Sequence, residues 1–221
     1  MKAAYTGWTW ITNREPEAAK NQLKQAFQEC KFLGYDTVEN FAFIRDYYAD
    51  DPQALVDLTK ECGVDLVNLY GHFTFDVEEA IRIAKEQIDF CAAVGVKWYN
   101  CQNAGFGDDG PSERPTNPEM LDKMCYVANT VGAYAKEKGV TLCFHPHYGT
   151  CVFWQSDIDY FAEHTNPDYV SFCFDTAHTT LAGMDPAALI RQYGSRVAYM
   201  HLKDVDTYAL SKAEGRDKMG N

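Results

Sequence analysis

Six histidines stand in this chain, and five of them, His72, His145, His147, His178 and His201, follow or end a short β-like run. Histidines placed by chance would scatter over the helical stretches as well. Other polar residues share the placement: Glu39 closes the second run, Gln102 and Asn103 follow the fourth, Asp175 ends the sixth and Lys203 trails the seventh. Imidazoles and carboxylates gathered at strand ends are what a divalent transition metal needs, imidazole suiting Mn, Fe, Co or Zn and carboxylate drawing the choice toward Mn or Mg. The same set can move protons, since histidine titrates near neutrality and a lysine can donate to a developing oxyanion. Any one of these residues is explained equally well as a hydrogen-bonded lining of a polar barrel mouth. Their common placement favours a site. His164, ahead of Asn166-Pro167, reads as a surface or capping residue.

The elements that must position these groups alternate between short β-like runs and longer amphipathic segments. Strands are predicted at Ala3–Thr9, Thr37–Phe43, Leu66–Tyr70, Lys97–Cys101, Thr141–Phe144, Val170–Phe174 and Val197–Met200. Helices are predicted near Glu15–Leu33, Pro52–Cys62, Val77–Val94, Asn117–Lys138, Asp157–Glu163 and Pro186–Gln192. Repeated βα units joined at Gly34, Gly63, Gly95 and Gly139, with no Pro/Ser-rich linker, point to one parallel β/α barrel rather than two domains. A doubly wound open sheet is the alternative, but no GxGxxG follows the first strand and no GxxxxGK[ST] occurs. In a parallel barrel the loops at the C-terminal strand ends build the active site, which is where the histidines fall. The long irregular segment from Gln102 to Thr116, with three glycines and two prolines, reads as a functional loop.

Composition sets the outer limits. A chain of 221 residues that is 46% hydrophobic and 24% charged can bury one sizeable core. Its net charge of −12 repels phosphate backbones and anionic membranes, which argues against nucleic-acid binding. No basic n-region with an apolar run opens the chain, and no apolar stretch is long enough to span a bilayer. The eight cysteines are widely and irregularly spaced without a CxxC pair, so they read as reduced core thiols of a cytoplasmic protein.

Three segments carry a resemblance: Cys143-Phe144-His145-Pro146-His147-Tyr148-Gly149-Thr150, Phe174-Asp175-Thr176-Ala177-His178 with Ala182-Gly183 after it, and Met200-His201-Leu202-Lys203-Asp204-Val205. They resemble the xylose-isomerase-like TIM barrels of the sugar phosphate isomerase/epimerase superfamily, and within it most resemble the inosose dehydratases (2-keto-myo-inositol dehydratases). The resemblance implies an α/β fold of (β/α)8 type in a single domain over residues 1–221. It implies Asp175 and His201 as metal ligands, with His145 at the strand-five position where epimerases carry Glu-Pro. It also implies His178 beside the metal, in contact with substrate. The metal would be Mn2+ or Co2+, with Mg2+ or Zn2+ as alternatives. No counterpart of the family's strand-eight glutamate is present, because the sequence after Val205 is polar and charged without an eighth β run. The expectation is therefore a barrel truncated after its seventh strand, weak or inactive as it stands and prone to self-association as a homo-oligomer.

The activity implied is dehydration of a cyclic keto-polyol through a metal-stabilised enediolate, as in inositol catabolism. His145, His147 and Lys203 are the acid–base candidates, and Glu39, His72, Gln102, Asn103 and His178 are placed to bind substrate hydroxyls. A ketose 3-epimerase or sugar isomerase uses related chemistry, but its usual strand-five glutamate is absent. An apurinic endonuclease would need further ligands and a basic face. A non-catalytic sugar- or metal-binding barrel is the reading from another class, and the missing closing strand is the argument for it.

Overall fold

The computed structural model describes residues 2–103 and 116–212. The sheet is parallel throughout and strictly sequential, β1 (Ala4–Thr6), β2 (Thr37–Phe41), β3 (Asp65–His72), β4 (Trp98–Gln102), β5 (Thr141–Phe144), β6 (Val170–Asp175) and β7 (Val197–His201). Parallel neighbours require a crossover, and helices supply each one. These are α1 (Pro16–Phe32), α2 (Arg45–Tyr48) with α3 (Pro52–Cys62), α4 (Val77–Val94), α5 (Pro118–Glu137), α6 (Gln155–His164), and α7 (Thr176–Leu181) with α8 (Pro186–Tyr193). A last helix, α9 (Thr207–Lys212), follows β7. This is the β/α barrel architecture with seven strands, and among the described residues no strand pairs β7 to β1. Residues 104–115, within the segment expected to be a functional loop, and residues 213–221, where no eighth strand is expected, lie outside the described residues.

The helices begin and stop where local chemistry tells them to. Asp51 and Asp76 accept from the backbone N–H of Ala54 and Glu79 at 3.3 and 2.9 Å, capping α3 and α4. Both helices end at a glycine in the left-handed region, Gly63 at φ 68° and Gly95 at φ 79°, which a side chain would strain. Core packing then follows from strand periodicity. In β5, Leu142 and Phe144 point toward the helical layer, where Phe144 stacks on Phe161 of α6 at 3.9 Å between ring centroids. Cys143, one residue out of phase, faces the other way with His145.

Two predicted strands are corrected: the second stops at Phe41, where Ala42–Ile44 form a 3₁₀ turn, and the first is cut back further. The first strand does not run through Thr9 but stops at Thr6, and Gly7–Trp10 form a 3₁₀ turn. The alternating aromatics that look like a strand instead use the turn to reach different partners. Trp8 meets Phe41 edge-on at 5.2 Å, and Trp10 meets Tyr5 at 5.7 Å while its Nε1–H donates to Glu29 Oε2 at 2.6 Å.

Candidate active site

The site grows out of the same period-two alternation, which stacks Cys173 beneath Asp175 on β6 and Tyr199 beneath His201 on β7. Asp175 and His201 are register partners across the β6–β7 pair. His145 lies one residue past β5, where its backbone N–H donates to Cys101 O at 2.8 Å and carries the parallel pattern onward. The side chains converge: His145 Nε2 is 3.0 Å from His201 Nδ1, 3.8 Å from Asp175 Oδ2, and that oxygen is 3.9 Å from His201 Nδ1. Asp175 Oδ1 faces the other way and accepts from the N–H groups of Ala177 and His178 at 2.8 and 3.1 Å, capping α7.

Around this triangle stand the proton-carrying groups. Lys203 Nζ forms an ion pair with Asp175 Oδ2 at 2.8 Å, an oxygen that receives no aligned hydrogen bond. The Lys203 backbone is tied to the Thr176 hydroxyl, which donates to its carbonyl at 2.5 Å and accepts from its N–H at 2.9 Å. His147 Nδ1 is 2.6 Å from Tyr148 O. A carbonyl only accepts, so that nitrogen carries the proton and Nε2 keeps a lone pair. The His178 ring lies 3.8 Å from that of His147, and both of its nitrogens lack a hydrogen-bond partner among the described residues.

Burial tunes the charges. It drives the His145 imidazole down to about 3, with Asp175 opposing and His201 assisting, and it drives His178 down to about 2. His147 is lowered for the same first reason. These rings are neutral at pH 7 and therefore able to act as ligands or bases. Asp175 moves the other way: burial alone would raise it, but His145, His178 and Lys203 together hold it well below the ordinary carboxylate range. Burial also opposes ionisation of Glu39, yet His201, Thr6 and Tyr199 bring it to about 2.

The remaining expected residues divide. Glu39 is 6% exposed and receives Asn68 Nδ2 at 3.2 Å and the Tyr199 hydroxyl at 2.9 Å on Oε2, and the Thr6 hydroxyl on Oε1. Gln102 accepts from the Tyr70 hydroxyl at 2.5 Å, and the Tyr70 ring lies 5.4 Å from His145 and 5.8 Å from His201. Asn103 is fully buried, with neither amide atom partnered among the described residues. His72 ends β3 with an exposed side chain, away from the cluster's hydrogen bonds. His164 closes α6, stacked on Tyr160, as a surface residue. Sequence reasoning missed Cys173, Tyr199, Tyr70, Asn68 and Thr6. Cys173 and Tyr199 carried a usable signal, since each sits two residues before a candidate ligand on the same strand face.

These donors fit a divalent cation. Bonds of about 2.0–2.2 Å to one ion separate neighbouring ligand atoms by about 3.0–3.5 Å, close to the spacing of His145 Nε2, His201 Nδ1 and Asp175 Oδ2. The sets His145–Asp175–His178 and His145–Cys173–His201 each bring their ligand atoms within 4.8 Å of one another. Two imidazoles and a carboxylate with an oxygen free of aligned hydrogen bonds form a donor set for Mn, Co or Zn.

Comparison with known proteins agrees with this architecture. The chain is 27% identical over 221 residues to an inosose dehydratase of Clostridium perfringens (strain 13 / Type A), covering 95% of this chain and 73% of that one. Its fold superposes on an L-ribulose 3-epimerase with a TM-score of 0.76 at 16% identity, over 95% of this chain and 71% of the other. It superposes on the IolI protein with a bound zinc atom with a TM-score of 0.72 at 19% identity, over 92% and 73%. No helix among the described residues is long and apolar enough to cross a membrane. The xylose isomerase-like TIM barrel family matches residues 27–219, from within α1 to beyond α9, and with seven sequential parallel strands and a polar cluster at their C-terminal ends the chain belongs to that family.

Proposed function

We propose that this chain is a metal-dependent enzyme acting on polyhydroxy ketones, and that its reaction is dehydration of a cyclic keto-polyol. The observation that carries the reading is the convergence of His145, Asp175 and His201 within 3.0–3.9 Å, with His147 and Lys203 beside them. The relatives in sequence include inosose dehydratases, which supports a polyol as substrate. His145, Asp175 and His201 would hold the cation, which when bound supplies Lewis-acid polarisation of a ketone oxygen.

The rest of the chemistry falls to the chain. His147 is the base: its Nδ1 proton is committed to the Tyr148 carbonyl, so Nε2 is free to accept the proton from the carbon next to the ketone. The electron pair of that C–H bond becomes the carbon–carbon double bond as the β-hydroxyl leaves. Lys203, held by Asp175 and Thr176, gives the departing hydroxyl its proton, so that water leaves and an enol remains that relaxes to a 1,2-diketone. Gln102, Asn103 and His178 offer directional partners for the other hydroxyls, with Asn103 and His178 having nitrogens unpartnered among the described residues.

The test is to incubate the protein with Mn2+ or Co2+ and 2-keto-myo-inositol and follow loss of one water by mass spectrometry. Turnover that falls on the order of a hundredfold or more in His147→Gln supports the assignment. Exchange of solvent deuterium into a ketose without water loss would replace it by epimerisation. Neither bound metal nor turnover would leave a binding barrel.

A further inference from the structure

Glu39 is the one buried carboxylate of the cluster that the proposed reaction does not use. Its two oxygens offer about four lone-pair sites. Thr6, Asn68 and Tyr199 take three of them, and the fourth neighbour is His201, whose Nε2 stands 3.4 Å from Glu39 Oε2. Asn68, Tyr199 and His201 thus gather on Oε2, and Thr6 holds Oε1. On the far side of the same ring, Nδ1 faces His145 and Asp175.

We propose that Glu39 is a positioning residue for His201: its carboxylate takes the Nε2 proton of the ring and so commits Nδ1, as a free lone pair, to the cation shared with His145 and Asp175. The inference rests on the metal site proposed above. Its geometry is self-consistent. With the His201 proton on Nε2, Nδ1 can accept from a His145 Nε2–H, the two nitrogens standing 3.0 Å apart. The competitor for His201 Nε2 is Asn100 Nδ2 at 3.5 Å, a donor that would demand the opposite tautomer. The two contacts are nearly equal in length, 3.4 and 3.5 Å, and the carboxylate prevails because a charged acceptor makes the stronger bond. Histidine ligands to metals commonly direct their second nitrogen to such an acceptor, which sets the ring's tautomer and raises its basicity. The sequence could not show this, since Glu39 and His201 come from β2 and β7.

The experiment uses the full chain as wild type, Glu39→Gln and Thr6→Val, the last removing a Glu39 partner on the oxygen that does not face His201. Long-range 1H–15N spectra of the metal-free proteins report the His201 tautomer, and Co2+ titration followed by its visible absorption reports affinity and ligand field. The wild type is expected to carry the His201 proton on Nε2. Glu39→Gln should lose that preference, shift the Co2+ bands and bind Co2+ ~10–100-fold more weakly. Thr6→Val should keep tautomer and affinity even if it unfolds more easily. A wild-type His201 protonated on Nδ1 overturns the proposal, as does Co2+ affinity in Glu39→Gln within threefold of wild type, or an equal loss in both variants. If Glu39→Gln fails to fold, the wild-type tautomer alone decides. Wild-type protein that binds no Co2+ yet shows the Nε2–H ring would instead sink the metal reading while leaving the Glu39–His201 pairing in place.

Discussion

The hydroxyl of Tyr199 donates a 2.9 Å hydrogen bond to Glu39 Oε2 across 160 positions of sequence. It ties β7 to β2, and through the Thr6 hydroxyl on Glu39 Oε1 to β1, on the side where no backbone pairing among the described residues joins the first and last strands. A buried carboxylate thus does across the barrel interior part of what a strand ladder does elsewhere. Tyr199→Phe deletes a bond to a charged, desolvated acceptor and should cost about 1.5–3 kcal/mol in urea unfolding. A change within about 0.5 kcal/mol, the range of ordinary surface substitutions, would show that the bond does not hold the strands together.

Asp175 divides its oxygens between two tasks, and the division can be separated by substitution. Asp175→Asn keeps an acceptor for the N–H groups of Ala177 and His178 but loses the negative charge facing His145 and His201. It should unfold within about 1 kcal/mol of wild type, yet bind Mn2+ or Co2+ at least about tenfold more weakly. Asp175→Ala should lose metal and in addition about 1 kcal/mol through the missing cap of α7. Equilibrium dialysis with metal analysis and urea titration measure the two effects. Full metal occupancy in both variants would remove Asp175 from the ligand set.

Lys203 and a divalent cation draw on the same carboxylate oxygen, Asp175 Oδ2, which the ammonium holds at 2.8 Å. Removing that competing charge in Lys203→Met should therefore tighten metal binding while turnover of a keto-polyol falls on the order of 10²–10⁴-fold, as expected for loss of a proton donor. The opposed directions matter, because a lysine that merely supports the fold would lower both. Weaker metal binding with unchanged turnover would exclude the proton-transfer role.

Much of the fold was legible because parallel barrel strands and their covering helices each carry a strong period. The α3 and α4 bounds match the predicted Pro52–Cys62 and Val77–Val94, and β5 matches Thr141–Phe144. Elements of one turn or little more, such as α2 at Arg45–Tyr48 and α7 at Thr176–Leu181, are too short to show a helical period. Convergence of His145, Asp175, His178 and His201 was legible too, because strand ends of a barrel meet at one rim. The web around Glu39 was not. Thr6, Asn68 and Tyr199 are ordinary strand residues until the barrel brings four strands around one carboxylate.

The thiols make a last prediction, in which pH separates folded from unfolded chain. All eight cysteines are free and buried, and Cys62, the most open of them, is only 9% exposed. Burial raises the thiol of Cys125 to about 12 and that of Cys151 to about 12, from a reference of 9.0. At pH 9 the native protein should therefore label only slowly with a thiolate-selective reagent, and fully once unfolded in urea. The linkage has a definite sign. Between pH 9 and about 12 the unfolded chain has released protons that the folded chain still holds, so stability falls as pH rises through that window. Below pH 9 both states keep these protons and the thiols contribute no slope. Urea midpoints at pH 8 and pH 10 should drop together with a rise in labelling rate. Rapid stoichiometric labelling of folded protein at pH 8 would show that the thiols are accessible without unfolding, and with that the burial argument for their raised values would fail.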